Sequence, residues 1–143
     1  MTSTLERIQN DMKGKSLMQY LGQEIINKMG LRSRQALLDW RNPDYLSAGA
    51  VVQVQMISSK TSKKRTTLTG VVIAVRRHGV ATNFTIRNRI LDEGVEITLP
   101  LFSPMITNIR VLRRERVRRA KLYYLRRSPD KDMVIADASS GGR

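Results

Sequence analysis

Arginine is the residue type in this chain best equipped to do chemistry. Residues 110–127 read RVLRRERVRRAKLYYLRR, with nine basic side chains and a single acid, Glu115. A guanidinium grips a phosphate through two parallel hydrogen bonds and stacks on planar rings, whereas a lysine ammonium acts as a point charge. Arginines interleaved with apolar residues beside the Tyr123-Tyr124 pair therefore suit a folded polyanion that displays both phosphates and bases. The alternative is a solvated charge face, but such faces usually mix signs and this one does not. Of the two rings, one is expected to anchor in the core, leaving Tyr124 to stack on a base. A second basic run, SSKTSKKR at residues 58–65, contains no apolar residue. It reads as a loop that threads between nucleic-acid helices, or else as a disordered hairpin tip.

Catalytic chemistry finds little to work with. His78 is the only histidine, on a predicted turn without a carboxylate or nucleophile nearby in sequence. Asp92 and Glu93 adjoin a glycine, where acids satisfy local backbone donors more often than they act as acid and base. Asp130 and Asp132 lack the glycine and closing glutamate of a calcium loop. Gly70 and Gly79 stand alone rather than in a phosphate-cradling loop. With no cysteine there is no disulfide framework, thiolate nucleophile or cysteine zinc site. The reading is a non-enzyme without catalytic residues, metal or cofactor.

Composition points the same way. The 143 residues carry 26 Lys and Arg against 12 Asp and Glu, a net charge of +14. A chain this basic usually has a polyanionic partner, because neutralised phosphates release their counterions; nucleic acid, an anionic membrane surface and acidic proteins all qualify, and the bland alternative is a basic surface that only aids solubility. Residues 49–127 hold seventeen basic and four acidic residues, a net of +13, whereas residues 1–48 hold seven and five, a net of +2. Residues 128–143 hold two basic and three acidic residues, so the charge lies almost wholly in the centre. No apolar run approaches the ~20 residues that cross a bilayer, so no membrane span is expected.

The elements that must position these arginines follow from periodicity. Ser16 with Gln19 forms a capping box, Leu17, Leu21, Ile25 and Met29 recur every fourth residue, and Gly30 is placed to end the helix. A short second helix is read over residues 33–40, with Asn42-Pro43 as a turn. The apolar stripe with Trp40 is expected to pack on its own domain rather than serve as a docking face. From residue 50 the period drops to two. Val52, Val54 and Met56 alternate with glutamines, residues 66–75 form an apolar β-branched run, and Gly70 within it marks a bulge or close backbone approach. Phe84, Ile86 and Asn88 alternate with Thr85, Arg87 and Arg89, giving a strand with one basic face. Val95, Ile97 and Leu99 lead to Pro100, which confines that strand to an edge or an end, and residues 106–112 make a fifth strand. Five short strands separated by turns predict a mainly β protein, a small antiparallel barrel or sandwich. Residues 110–127 fit neither period and read as an extended arm ending in one helical turn; residues 128–143 read as a polar tail with an apolar patch at 133–135.

The pieces GVVIAVR, FTIR, EGVE, PLFSP and VRRAKLYYLR, in that order within residues 69–126, resemble the signature of the bacterial-type large-subunit ribosomal protein nineteen family. The resemblance covers about residues 46–127 and implies an SH3-like β-barrel. It also implies contact with large-subunit ribosomal RNA, a neighbour in ribosomal protein fourteen, and a bridge to small-subunit RNA at the subunit interface. Three departures stand out: Thr69 where the family has Glu, Glu115 where it has Gly, and about 45 residues ahead of the core. Such an extension is similar to those of mitochondrial ribosomal proteins, which implies the mitochondrial matrix, with the bacterial cytoplasm as the alternative. A free RNA-binding regulator or RNA chaperone on the same barrel is the competing function.

The expected organisation is a helical extension (1–45), an SH3-like barrel (46–112), a basic RNA-binding arm (113–127) and a tail (128–143). Removing residues 1–45 is expected to leave the barrel folded. The expected RNA-binding residues are Lys60, Lys63, Lys64 and Arg65 in the loop, and Arg76, Arg77, Arg87 and Arg89 on the strands and their turns. In the arm they are Arg113, Arg114, Arg116, Arg118, Arg119, Lys121, Tyr124, Arg126 and Arg127.

Overall fold

A computed structural model describes residues 4–12, 14–59, 61–90 and 93–127. Lys60, Asp92 and the tail 128–143, with its apolar patch and Asp130 and Asp132, lie outside the described residues.

Two helices open the chain, α1 (Thr4–Met12) and α2 (Leu17–Lys28). The predicted capping box of α2 is formed: Gln19 N donates to Ser16 Oγ, and Ser16 N donates to Gln19 Oε1, both at 3.3 Å. Gly30, at φ +66°, takes the left-handed conformation that ends the helix. The packing face is not the predicted one. Gly22 and Ile26 are buried, while Leu17, Leu21, Ile25 and Met29 are exposed. Gly22 brings the helix up against Val80, and that approach turns the Leu17–Met29 stripe outward. Trp40 is also exposed, at 72%, so the expected packing of this stripe on its own domain is corrected.

The chain then turns through α3 (Arg32–Gln35) and a 3-10 turn (Ala36–Leu38), where one short helix was expected. Leu31, Leu37 and Leu38 pack against the core, and Leu46 N donates to Leu37 O at 2.7 Å. The Arg34 guanidinium donates to the carbonyls of Leu101, Ser103 and Ile106, which ties this segment to the sheet. Burial lowers the pKa of Arg34 from its ordinary value.

Five antiparallel strands follow: β1 (Ala50–Ile57), β2 (Arg65–Arg76), β3 (Asn83–Ile90), β4 (Glu93–Pro100) and β5 (Ile106–Arg114). They form one sheet in the order β4-β3-β2-β1-β5, so the expected mainly β architecture with five strands is present. The sheet is not closed: β4 and β5 are its edges, and Pro100 ends an edge strand as its missing N–H requires.

One face of the sheet carries the main core, including Val52, Val54, Val72, Phe84, Ile86 and Ile106, with Ile26, Leu46 and Leu101 added from outside the strands. The β2–β3 register shifts between Val72 and Ala74, so that Ile73 and Ala74 both join a second cluster. Ala48, Leu122 and Leu125 complete that cluster. Gly70 is the predicted close approach, while the bulge falls two residues later. A Cβ there would meet the Ile86 side chain and lie 2.9 Å from Arg87 O.

Candidate nucleic-acid interface

The arm leaves β5 at Arg114 and turns back over the second cluster. Glu115 N donates to Gly49 O at 3.2 Å, and Gly49 sits at φ +90° with no space for a side chain against Glu115 O and Val117. Leu122 N donates to Ile73 O at 2.8 Å, and Leu122 and Leu125 are buried. A 3-10 turn (Tyr123–Arg126) follows, the single helical turn expected there. Neither tyrosine anchors the arm; the leucines on either side of them do. In this short turn the residues three apart, Leu122 and Leu125, share the inward face. Tyr123 and Tyr124 stay exposed under the guanidinia of Arg126 (4.8 Å to the ring centroid) and Arg119 (5.5 Å).

Arg126 is fastened in turn. Its Nε donates to Glu96 Oε1 at 2.7 Å and its Nη2 to Oε2 at 2.8 Å, a bidentate pair. Arg87, only 13% exposed, donates to the same carboxylate at 2.8 Å. The strand face read as basic is thus neutralised at Arg87, and Glu96 clamps the end of the arm to the sheet. The Arg126 hydrogen bond, followed by that of Arg87, holds the Glu96 carboxyl below its ordinary pKa, although burial pushes it up.

A depressed carboxylate stabilises the fold above the ordinary glutamate pKa of about 4.3 and loses that contribution as pH falls through the lower folded value. The melting midpoint is therefore expected to fall on acidification below about pH 4. Glu96→Gln should lower the midpoint at neutral pH and flatten part of that acid descent. A variant that melts like wild type at both pH values would show that the clamp contributes nothing.

The remaining arginines gather elsewhere. A cleft of about 770 Å³ opens between residues 45–48 and the start of the arm, lined by Arg77, Arg114, Arg116, Arg118 and Arg119 with the acid Glu115 among them. Tyr45 sits in it. Arg77 donates to Tyr45 Oη and lies 5.4 Å from the ring centroid, while Arg114 approaches the same ring at 6.0 Å. Glu115, the acid that interrupts the arm, pairs with Arg113 at 3.3 Å. Arg76, Lys121 and Arg127 are exposed nearby in sequence, and Arg89 is half-buried in β3.

Lys63, Lys64 and Arg65 are exposed at the far end of the sheet. β1 pairs Ala50 with Arg114 at one end and Ile57 with Arg65 at the other. Seven residues of strand separate the two places by roughly 23 Å at ~3.3 Å per residue. The structure therefore brings the arm and Arg77 together and leaves the loop as a separate basic patch. Tyr45 and Glu96 were not foreseen. The only signal for Glu96 was its being the lone acid between the FTIR and PLFSP pieces once the turn acids are set aside, and Tyr45 gave none.

His78 is exposed on the turn before the 3-10 segment Gly79–Ala81. Among the described residues no three His, Cys, Asp or Glu stand close enough to hold a metal ion, and no helix is long and apolar enough to cross a membrane.

An open five-stranded antiparallel sheet with arginines crowded at one end and an arm folded back over it defines a small, mainly β, strongly basic protein. Residues 30–138 match the family described as Ribosomal protein L19, and the chain belongs to that family. It is accordingly a structural protein of the large ribosomal subunit, in a family that is not enzymatic.

Proposed function

We propose that the chain binds ribosomal RNA of the large subunit through the arginines around the Tyr45 cleft and along the arm, and that its sheet, open between β4 and β5, is a partly open barrel of the SH3-like kind. The observation that carries this reading is the convergence of Arg77, Arg114, Arg116, Arg118 and Arg119 on one concave surface. Like charges repel, so a cluster of this kind favours an anion that offsets the repulsion. A free regulator or RNA chaperone is disfavoured by the family match, which spans most of the chain.

The finer placement rests on the family resemblance. It supports a position at the subunit interface beside ribosomal protein fourteen, with a bridge to small-subunit RNA. The helices that precede the family match at residue 30 favour a mitochondrial particle over a bacterial one. Fractionating salt-washed mitochondrial and cytosolic ribosomes side by side tests the location; recovery in cytosolic particles alone would overturn it.

Binding itself is tested by salt. If six to ten phosphates are neutralised, affinity for structured RNA should drop roughly 10³–10⁵-fold between 50 and 200 mM salt, on the scale for duplex nucleic acid. A flat response would contradict the electrostatic account.

A further inference from the structure

The cleft at Tyr45 has features that phosphate binding alone does not require. Phosphates call for guanidinia alone, whereas these share an open cleft with the Tyr45 ring and the apolar side chains of Ala48 and Val75. Arg77 comes from the turn after β2 and Arg114 from the end of β5, on either side of β1, and both reach the same ring. The hydrogen bond from Arg77 to Tyr45 Oη holds that guanidinium at the hydroxyl edge of the ring. A planar cation held beside an aromatic ring widens the flat surface on which another planar group can stack. The cleft, about 770 Å³, is open to solvent and has room for a group the size of a nucleotide.

A bare phosphate has no use for the apolar side chains of Ala48 and Val75 or for the Tyr45 ring. A single unpaired nucleotide meets both demands, because it offers a flat base between two phosphates. We infer that the Tyr45 cleft receives one nucleotide extruded from RNA, its base stacked on the Arg77–Tyr45 pair and its flanking phosphates on Arg114 and Arg116. The inference rests on the RNA-binding reading above and adds to it the state of the RNA that is recognised. The cleft distinguishes bulged from continuous helix.

Three RNA hairpins titrated into the full-length protein test this: a fully paired stem, the same stem with one bulged adenosine, and the same stem with an abasic ribose in the bulge. The abasic probe keeps the kinked backbone and its charge but lacks the base. The adenosine bulge should bind about tenfold or more tighter than the abasic one, the scale of base-on-ring stacking. Tyr45→Ala should remove that preference. If thermal melting shows Tyr45→Ala to be unfolded, Arg77→Lys, which keeps the charge and loses the plate, is read in the same way. Equal, salt-dependent binding of the adenosine and abasic bulges would overturn the inference and leave the RNA-binding reading standing. So would a preference that survives the substitution. Failure to bind any of the three would overturn both.

Discussion

A chain that begins at Leu46 is expected to lose its cooperative fold, although the sequence alone suggested that residues 1–45 could be removed without harm. Ile26 is 3% exposed in the main core, and Leu31, Leu37 and Leu38 pack against it. A fully buried aliphatic side chain contributes about 1.5–3 kcal/mol, and partly buried ones less. Arg34 adds charge-assisted hydrogen bonds to three carbonyls, of a kind worth about 1.5–3 kcal/mol each. Together these losses reach on the order of 5 kcal/mol or more, against about 5–15 kcal/mol for a whole domain. Removing only residues 1–15 deletes α1 and spares all of these contacts. Thermal melting by circular dichroism should therefore show a normal transition for residues 16–143 and none for residues 46–143. A shorter chain that melts within a few degrees of the full protein would show that the segment is a true appendage.

The second large effect is on assembly. Arg116→Glu, Arg118→Glu and Arg119→Glu together should keep the protein out of the large subunit while leaving its fold intact. All three side chains are exposed, and the arm is held in place by Val117, Leu122, Leu125 and the Arg126–Glu96 pair rather than by them. Arg119 does lie over Tyr124, a contact worth about 0.5–1 kcal/mol at an exposed site. Other surface changes stay within about 0.5 kcal/mol, so the melting midpoint should move little. Against phosphate, each substitution exchanges a forked attraction for a repulsion, and hydrogen bonds to charged groups carry about 1.5–3 kcal/mol each. Abundance in the large-subunit fractions of a gradient should drop by far more than about tenfold, since 1.4 kcal/mol already accounts for that factor. A triple variant that melts normally and assembles at the wild-type level would reduce the arm to a solvated run of charge.

Local signals carried much of this fold. Ser16 and Gln19 sit three residues apart, so their capping box was readable as a pair of letters. The alternation of Val52 and Val54 against glutamines placed the inward face of β1, and Gly70 in an otherwise branched run pointed to the contact with Ile86 and Arg87. What escaped depended on pairs distant in sequence. Glu96 and Arg126 are 30 residues apart, and only the return of the arm over the sheet joins them. Arg77 and Tyr45, 32 apart, meet because strand pairing brings the end of β2 beside the entry to β1. The apolar stripe of α2 misled because periodicity identifies a face without saying what covers it. A single glycine, Gly22, settled which face went inward. Leu31, Leu37 and Leu38 lie in turns too short to show any period, so their share in the core was invisible to a pattern search.

Irradiating salt-washed large subunits that carry the protein, and mapping the peptide–nucleotide adducts by mass spectrometry, tests the central claim most directly. The account predicts adducts within residues 113–121 and at Tyr45 or its neighbour Arg77, where exposed guanidinia and rings face the cleft. Arg87, 13% exposed and held by Glu96, should carry none. Adducts confined to the N-terminal helices or the strand faces, with residues 113–121 free of nucleotide, would contradict it.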